Sequence, residues 1–349
     1  MQQRPLGRTG LSVSAICLGT MTWGEQNTEA EGFAQMDLAV DRGVNFFDTA
    51  EMYPIPPKAE TQGRTETIIG NWFRRTGRRN EIVLASKVVG RTANDWFRGG
   101  RPSKLVRADI FDAVEKSLAK LQTDRIDLYQ IHFPERPIPW GANPTRVTEP
   151  PATLDDETPI EETLAVFDEL VKAGKIRHFG LSNESSWGVM RYLAESEKGV
   201  GPRVASLQNA YNLVNRTFEV NLAEVCRREA VSLLAYSPLA QGYLSGKYEG
   251  GALPDGSRKK LFDRLQRYET PGAAEAFVAY AEVARSFGME PASFANAFVT
   301  HRPFMTSNIV GATTIEQLRM ALDSADVRWT DDMQKAVDAI HQRVGNPCP

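Results

Sequence analysis

The segment GVNFFDTAEMYP, residues 43–54, begins like a buried strand and then turns polar. Phe46 and Phe47 form its apolar part, Asp48 ends it, and Tyr53 follows after one short turn. A carboxylate is rarely buried at the end of an apolar strand unless it has a partner. In an α/β barrel, however, polar side chains at the C-terminal ends of the strands form the active site. The rest of the chain decides whether the segment is one strand of such a barrel.

The rest of the chain repeats this pattern of a short apolar run followed by a helical period. The runs are near-continuous in apolar residues, as expected for a parallel sheet that is covered on both faces. Eight runs are predicted as strands: AICLG (15–19), VNFFD (44–48), IVLASK (82–87), IDLYQIH (126–132), IRHFGLS (176–182), VASLQN (204–209), SLLAYS (232–237) and NIVGA (308–312).

Residues that favour helix ends stand between these runs. Thr28 and Ser185 are predicted N-caps, and Gly43 and Gly174 stand where helices are expected to end. Eight strands, each followed by a helix, predict an α/β protein that folds as a single (β/α)8 TIM barrel domain over residues 1–349.

Further segments are expected at the two ends of the barrel. The sequences RPLGRTG and LSVS precede the first strand and predict an N-terminal β-hairpin cap at the bottom. Three long βα loops, residues 54–64, 133–159 and 238–271, follow strands. They are therefore expected at the C-terminal face, where barrel active sites lie.

Composition excludes several classes of partner. The net charge of -3 gives no basic field for nucleic acid or an anionic membrane. The three cysteines are widely spaced, which excludes a disulfide framework and a CxxC metal site. The N-terminus is polar, and no stretch approaches the roughly 20 apolar residues of a membrane span. We therefore expect a cytoplasmic protein.

Polar side chains at the ends of the predicted strands mark a candidate site. Because the C-terminal ends of barrel strands meet at one face, these side chains and Tyr53 are expected to lie close together. The set combines an anion, a phenol, a cation and an imidazole. Besides Tyr53, its members are Asp48, Lys87, His132 and Gln208, which lie on predicted strands, and Asn183, which directly follows the fifth strand.

This set suits the reduction of a carbonyl group. A nearby ammonium lowers the pKa of a phenol, so Lys87 is expected to lower the pKa of Tyr53, with Asp48 holding Lys87 charged. Tyr53 would then act as the general acid for a forming alkoxide, and His132 would orient the substrate oxygen. No nucleophile–base pair, flavin or pyridoxal feature is evident, so the hydride would come from a bound nicotinamide.

A metal site is the alternative chemistry at a barrel mouth. Such sites need several His, Asp or Glu side chains at strand ends. The chain has four histidines. His301 and His341 lie in or near predicted C-terminal helices, and His178 lies within the fifth strand. We therefore predict no metal.

Six collinear motifs resemble the aldo-keto reductases along nearly the whole chain. They are DTAEMY (48–53), ASK (85–87), YQIH (129–132), GLSN (180–183), AYSPLAQGYLSGKY (235–248) and IVGATTIEQL (309–318). The detail is most similar to the branch of the bacterial Tas-type reductases and the potassium-channel β subunits. The resemblance implies a single barrel that binds NADPH without a Rossmann domain. It also implies a catalytic tetrad of Asp48, Tyr53, Lys87 and His132.

The resemblance implies a nicotinamide site at the centre of the barrel mouth. Ser182 and Asn183, with Gln208, would hold the carboxamide, and Tyr236 would stack on the ring. Further contacts on the nicotinamide side are implied for Gly19, Thr20, Met21 and Asp48.

The same resemblance implies a phosphate and adenosine site on the last two βα loops. Lys247 and Arg258 offer cations for a 2′-phosphate, which would favour NADPH over NADH. The adenosine end would lie at the start of the helix after the last strand, where free N–H groups favour anions. The implied residues are Ser237, Pro238, Leu239, Ala240, Gln241, Lys247, Arg258, Gly311, Ala312, Thr313 and Gln317.

Two departures from the family pattern are visible. The loop after Tyr53 is longer than the usual YGxGxSE, and Glu66 stands where its glutamate would fall. Met320 and Ala321 replace a Glu-Asn pair near the adenine. We expect Ala321→Asn to tighten NADPH binding modestly, unless Met320 already covers the adenine.

The main hypothesis is an NADPH-dependent oxidoreductase that reduces an aldehyde or ketone to an alcohol, with Tyr53 as general acid. The alternative is an NADP(H)-binding regulatory or sensor subunit with little turnover; a barrel kept only as a scaffold is a third. The partner is a small-molecule carbonyl substrate, whose identity the sequence leaves open together with the oligomeric state. The predicted substrate pocket consists of Trp23, Tyr53, His132, Phe133 and Trp140.

Overall fold

A computed structural model describes residues 1–138 and 154–348 of the chain. Its centre is a closed barrel of eight parallel strands, each paired with the next along the chain, with the last paired to the first. A two-stranded antiparallel hairpin, β1 (Gln3–Pro5) and β2 (Ser12–Ser14), precedes it. The barrel strands are β3 (Ile16–Gly19), β4 (Phe46–Asp48), β5 (Val83–Val88), β6 (Ile126–Ile131), β7 (Ile176–Ser182), β8 (Val204–Ala210), β9 (Ser232–Tyr236) and β10 (Met305–Val310).

Helices alternate with the strands and surround the barrel, which confirms the predicted (β/α)8 architecture. The α-helices are α1 (Glu29–Asp41), α2 (Arg64–Thr76), α3 (Arg107–Leu121), α4 (Ile160–Lys172), α5 (Ser186–Glu197), α6 (Leu222–Glu229), α7 (Arg258–Phe262), α8 (Ala273–Ser286), α9 (Pro291–Thr300), α10 (Ile315–Asp323) and α11 (Asp331–Val344). In the described residues, no helix is long and apolar enough to cross a membrane.

The helix ends use the residues that the sequence indicated. The Thr28 side chain accepts a hydrogen bond from Glu31 N while the Glu31 carboxylate accepts from Thr28 N, a capping box. Ser185 caps α5 with a single bond, in which its side chain accepts from Gly188 N. Gly43 and Gly174 both adopt positive φ, the left-handed conformation that ends a helix at no steric cost to glycine.

The last barrel strand begins earlier than its apolar run. The prediction began at residue 308, whereas β10 starts at Met305, and Thr306 and Ser307 are buried in it. Hydrogen bonds make this burial possible: Thr306 Oγ1 donates to Ser232 Oγ at 2.9 Å, and Ser307 Oγ donates to Ser14 O at 2.7 Å. A hydrophobicity pattern does not register polar residues that find such partners.

The hairpin β1–β2 closes the N-terminal end of the barrel, as predicted. Leu6 and Val13 are fully buried against residues from the lower ends of the strands. Gly7 has φ +53°, its N–H donates to Ser232 Oγ at 2.8 Å, and an added Cβ would lie 2.5 Å from Ala205 O. Only glycine fits this turn, so the hairpin is held close to the strands.

Candidate active site

A buried ion pair lies at the upper end of β4 and β5. Lys87 Nζ donates to Asp48 Oδ2 at 2.6 Å, and the two residues are 0% and 2% exposed. The other carboxylate oxygen, Asp48 Oδ1, accepts from Gln208 Nε2 at 2.8 Å. Lys87 Nζ also donates to Thr49 O at 2.7 Å. Both charges therefore have the hydrogen bonds that a buried ion pair requires.

The ammonium of Lys87 lies next to the phenol of Tyr53. Nζ and the hydroxyl oxygen are 3.5 Å apart. Burial acts to lower the pKa of Lys87, but Asp48 and Tyr53 together outweigh it, and the pKa of Lys87 is raised. Lys87 is therefore charged at neutral pH despite complete burial.

The pKa of Tyr53 is raised, not lowered as the sequence analysis expected. Burial is the largest cause, and Lys87 opposes it only in part. Tyr53 is 9% exposed, so its charged form has lost most of its hydration. The phenol consequently keeps its proton, which is the form that can donate to a substrate oxygen.

His132 faces the same phenol. Its ring lies edge-on to Tyr53, with centroids 5.7 Å apart and planes at 81°. Burial, assisted by the charge of Lys87, lowers the pKa of His132 well below its usual value. The imidazole is therefore neutral, and its Nδ1 is buried without a hydrogen-bond partner among the described residues.

The ends of β7 and β9 meet beside this cluster. Asn183 has φ +54°, and its Nδ2 donates to His132 O at 2.9 Å. Tyr236 OH donates to Asn183 Oδ1 at 2.5 Å, and Ser182 Oγ donates to Gln208 O at 2.8 Å. The structure thus brings together the residues predicted for the carboxamide, but the Gln208 amide donates its hydrogen bond to Asp48.

The loop after β9 has an unusual backbone. Ser237, Ala240 and Gln241 are three of the eight non-glycine residues with positive φ in the described chain. This conformation is uncommon outside glycine and clusters at ligand sites. Thr20 at the end of β3 donates to Asp48 O at 2.8 Å, so the first βα loop also borders the ion pair.

Two cations in the loop after β9 lack an acidic partner. In the described residues, Lys247 and Arg258 form no ion pair, whereas Lys259 binds Glu269 and Asp263 in the same loop. Both are half-buried. Burial, then repulsion from Arg264, lowers the pKa of Arg258. Partly buried unpaired cations favour an anionic ligand, so these residues fit a cofactor phosphate.

The start of α10 is arranged around Gln317. Thr313 N and Oγ1 donate to Gln317 Oε1 at 3.0 and 3.1 Å, and Thr314 caps the helix. Ala321, one turn further, is 6% exposed and belongs to the hydrophobic core. An amide at that position would enter the core, so we expect Ala321→Asn to disturb the packing and not to tighten cofactor binding.

Besides Tyr53 and His132, three aromatic residues were predicted to line a substrate pocket. Phe133 lies beside His132, with ring centroids 5.6 Å apart, and packs with Phe97. Trp23 does not line an accessible pocket, because it is 0% exposed and its indole N–H donates to Gln35 Oε1 at 3.1 Å. It packs on α1 instead, and the sequence did not distinguish a pocket wall from this packed interior. Trp140 lies outside the described residues.

A second buried ion pair, which the sequence did not indicate, supports the loop bearing Tyr53. Arg98 donates to both carboxylate oxygens of Glu51, at 2.5 and 3.1 Å, and both side chains are at most 3% exposed. Glu51 Oε2 also accepts from Val89 N at 3.1 Å. Nothing in the sequence pairs these loop residues, which lie 47 positions apart.

The structure is thus a parallel barrel with a buried lysine–carboxylate pair beside a phenol at its mouth. The chain belongs to the aldo/keto reductase family, whose model matches residues 15–342. Members of this family generally use NAD(P)H and act on small-molecule carbonyl compounds.

Several proteins are similar over almost their whole length. Protein tas of Escherichia coli is 45% identical, and the alignment covers 100% of both chains. An uncharacterized oxidoreductase of Bacillus subtilis, YrpG, is 33% identical over 100% of this chain and 98% of its own. A probable voltage-gated potassium channel subunit beta of Arabidopsis thaliana is 30% identical over 94% of this chain and 92% of its own.

Proposed function

We propose that this protein is an NADPH-dependent enzyme that reduces an aldehyde or a ketone to an alcohol. The observation that carries the proposal is the position of the Tyr53 phenol, whose hydroxyl oxygen lies 3.5 Å from Lys87 Nζ and whose ring faces His132. A general acid needs a proton to give and a nearby charge to stabilise the base that remains. The site supplies both.

The residues of the site have complementary tasks in this reaction. When bound, the nicotinamide supplies the hydride. Tyr53 Oη donates its proton to the carbonyl oxygen of the substrate, and the ammonium of Lys87 stabilises the phenolate that remains. Asp48 holds Lys87 charged and in place. His132 is neutral, so its N–H can donate to the same carbonyl oxygen and orient it.

The choice of NADPH rests on the cations of the loop after β9. A 2′-phosphate carries charge that Lys247 and Arg258 can neutralise. Ser182, Asn183 and Tyr236 lie at the barrel mouth beside His132, where a nicotinamide would meet Tyr53. The segment from Ser237 to Gln241 follows directly and would hold the diphosphate; three of its five residues have positive φ.

A second candidate function is a cofactor-binding regulatory subunit with little turnover. The similarity to a probable potassium channel subunit beta favours it. Both functions require cofactor binding, and only the enzyme requires Tyr53 as an acid. Turnover therefore separates the two.

The test compares NADPH oxidation with a panel of aldehydes and ketones in wild type and Tyr53→Phe. We expect the wild type to turn over and the rate of Tyr53→Phe to be lower by roughly 10²–10⁴-fold. The NADPH affinity of the variant, measured by fluorescence, should stay within a few-fold of wild type. Tyr129→Phe is the matched control, because Tyr129 is also a buried tyrosine but packs against Phe167 of α4. Near wild-type reduction by Tyr53→Phe would refute the acid role. Tight binding without turnover on any carbonyl would favour the regulatory subunit.

A further inference from the structure

Arg267, in the loop between β9 and α8, is a half-buried cation that has phenols but no carboxylate as partners in the described chain. Its Nη1 donates to Tyr236 OH at 2.9 Å. Its guanidinium carbon lies 5.7 Å from the ring centroid of Tyr236 and 5.8 Å from that of Tyr268. Nε is buried and makes no hydrogen bond with a described residue. Nothing in the mechanism above uses this residue.

A chain of hydrogen bonds leads from Arg267 to the centre of the site. Tyr236 OH, which accepts from Arg267, donates to Asn183 Oδ1 at 2.5 Å. Asn183 Nδ2 in turn donates to His132 O at 2.9 Å and to Ser182 Oγ at 3.2 Å. Because Arg267 can only donate, it directs the single proton of Tyr236 towards Asn183. The orientation of the Asn183 amide follows from that proton.

The part of the loop that carries Arg267 is firmly attached to the barrel. Leu265 and Tyr268, on either side of it, are fully buried. Tyr268 OH accepts from Asn212 Nδ2 at 3.2 Å, and Asn212 Nδ2 also donates to Ser237 O. The middle of the same loop, residues 252–256, is exposed. The backbone that carries Arg267 is therefore fixed by packing, and this holds the guanidinium beside Tyr236.

We propose that Arg267 is a positioning residue that fixes the Tyr236 ring and, through it, the Asn183 amide for the nicotinamide half of the cofactor. The proposal rests on the proposed function, since it requires a nicotinamide at Tyr236. The Tyr236 hydroxyl accepts one hydrogen bond and donates another, so the ring is already fixed before a ligand stacks on it. Binding then costs little rotamer entropy, which favours affinity. The competing role is a direct contact with a cofactor phosphate.

The two roles differ in which half of the cofactor they affect. We would measure the binding of NADP⁺ and of 2′-phospho-ADP-ribose, which lacks the nicotinamide, by calorimetry. In Arg267→Met we expect about a tenfold weaker NADP⁺, as for the loss of a hydrogen bond to a charged group, and an affinity for 2′-phospho-ADP-ribose within about twofold of wild type. Lys260→Met, which removes a charge paired with Asp255 in the same loop, should change neither. Equal losses for both ligands, or no loss for either, would overturn the proposal.

A double-mutant cycle tests whether Arg267 acts through the hydroxyl of Tyr236. In the Tyr236→Phe background, Arg267→Met should weaken NADP⁺ little further, and independent losses would contradict the chain of hydrogen bonds. Arg267→Lys serves as the milder variant should Arg267→Met not fold. The same four proteins, compared by urea unfolding without cofactor, test the contact between Arg267 and Tyr236 by itself. Additive losses in the free energy of unfolding would overturn that contact. Absence of NADP⁺ and NADPH binding in wild type would instead overturn the proposed function.

Discussion

The Asp48–Lys87 pair allows a quantitative prediction because both of its side chains are at most 3% exposed. In Lys87→Met, the Asp48 carboxylate keeps only neutral donors, Gln208 at 2.8 Å and Gln130 at 3.4 Å. Removing one partner of a buried ion pair costs about 3–5 kcal/mol, because the other charge remains desolvated. Since domains are stable by roughly 5–15 kcal/mol, we expect a folded but clearly destabilised protein.

The reciprocal substitution should show that the cost comes from the uncompensated charge. Asp48→Asn leaves the Lys87 ammonium with Thr49 O and the Tyr53 hydroxyl as acceptors, and we expect a loss of similar size. The double variant has no buried charge at this position. Its second substitution should therefore cost less than the same substitution in wild type, with a coupling energy of about 0.5–3 kcal/mol.

The assay is urea unfolding at neutral pH without cofactor, followed by tryptophan fluorescence. Lys335→Met is the control, because the Lys335 and Asp332 side chains are 77% and 82% exposed and such a surface pair contributes little. Additivity of the two single losses within about 0.5 kcal/mol would refute the reasoning. The double variant should also remain inactive, since neither neutral side chain can stabilise a phenolate.

Three further outcomes follow from the same structure. Removing both cations in Lys247→Met/Arg258→Met should weaken NADPH much more than NADH in fluorescence titrations; equal losses would contradict a 2′-phosphate contact. Ala321→Asn should lower the free energy of urea unfolding by about 1–3 kcal/mol, as for an unpaired buried polar group, without tightening NADPH. Burial lowers the pKa of all four histidines. The unfolded chain then binds more protons below about pH 6.5, so stability should fall as the pH drops below that value. Stability that rises between pH 6.5 and 5.5 would contradict this sign.

The fold could be predicted because burial on both faces leaves a simple signal. All eight strands appear as apolar runs, and their C-terminal ends bring Asp48, Lys87 and His132 together. The start of β10 was missed because Thr306 and Ser307 are buried through hydrogen bonds, which depend on tertiary partners. The pair of Glu51 and Arg98 was missed because it also depends on tertiary contacts.

The properties of the site residues were less predictable than their positions. The sequence showed a lysine that could lower the pKa of Tyr53, but it did not show how much water the phenol loses on folding. Burial has the larger effect, and the sign of the shift reverses. The predicted pocket position of Trp23 was wrong for a related reason, since an aromatic side chain near a strand end suits a pocket wall and a packed core equally well.

Lys87 and Arg267, two cations that contact phenols at the barrel mouth, show how charge is distributed over the site. Lys87 lies beside Tyr53 and is balanced by Asp48, so the reacting end of the barrel has its charges paired before any ligand binds. Arg267 lies beside Tyr236 and has no carboxylate among the described residues, like Arg258 in the same loop. The positive charge of the site therefore lies on the loop and not at the acid. An anionic cofactor would be attracted to the loop, while the electrostatics around Tyr53 would be set by the barrel.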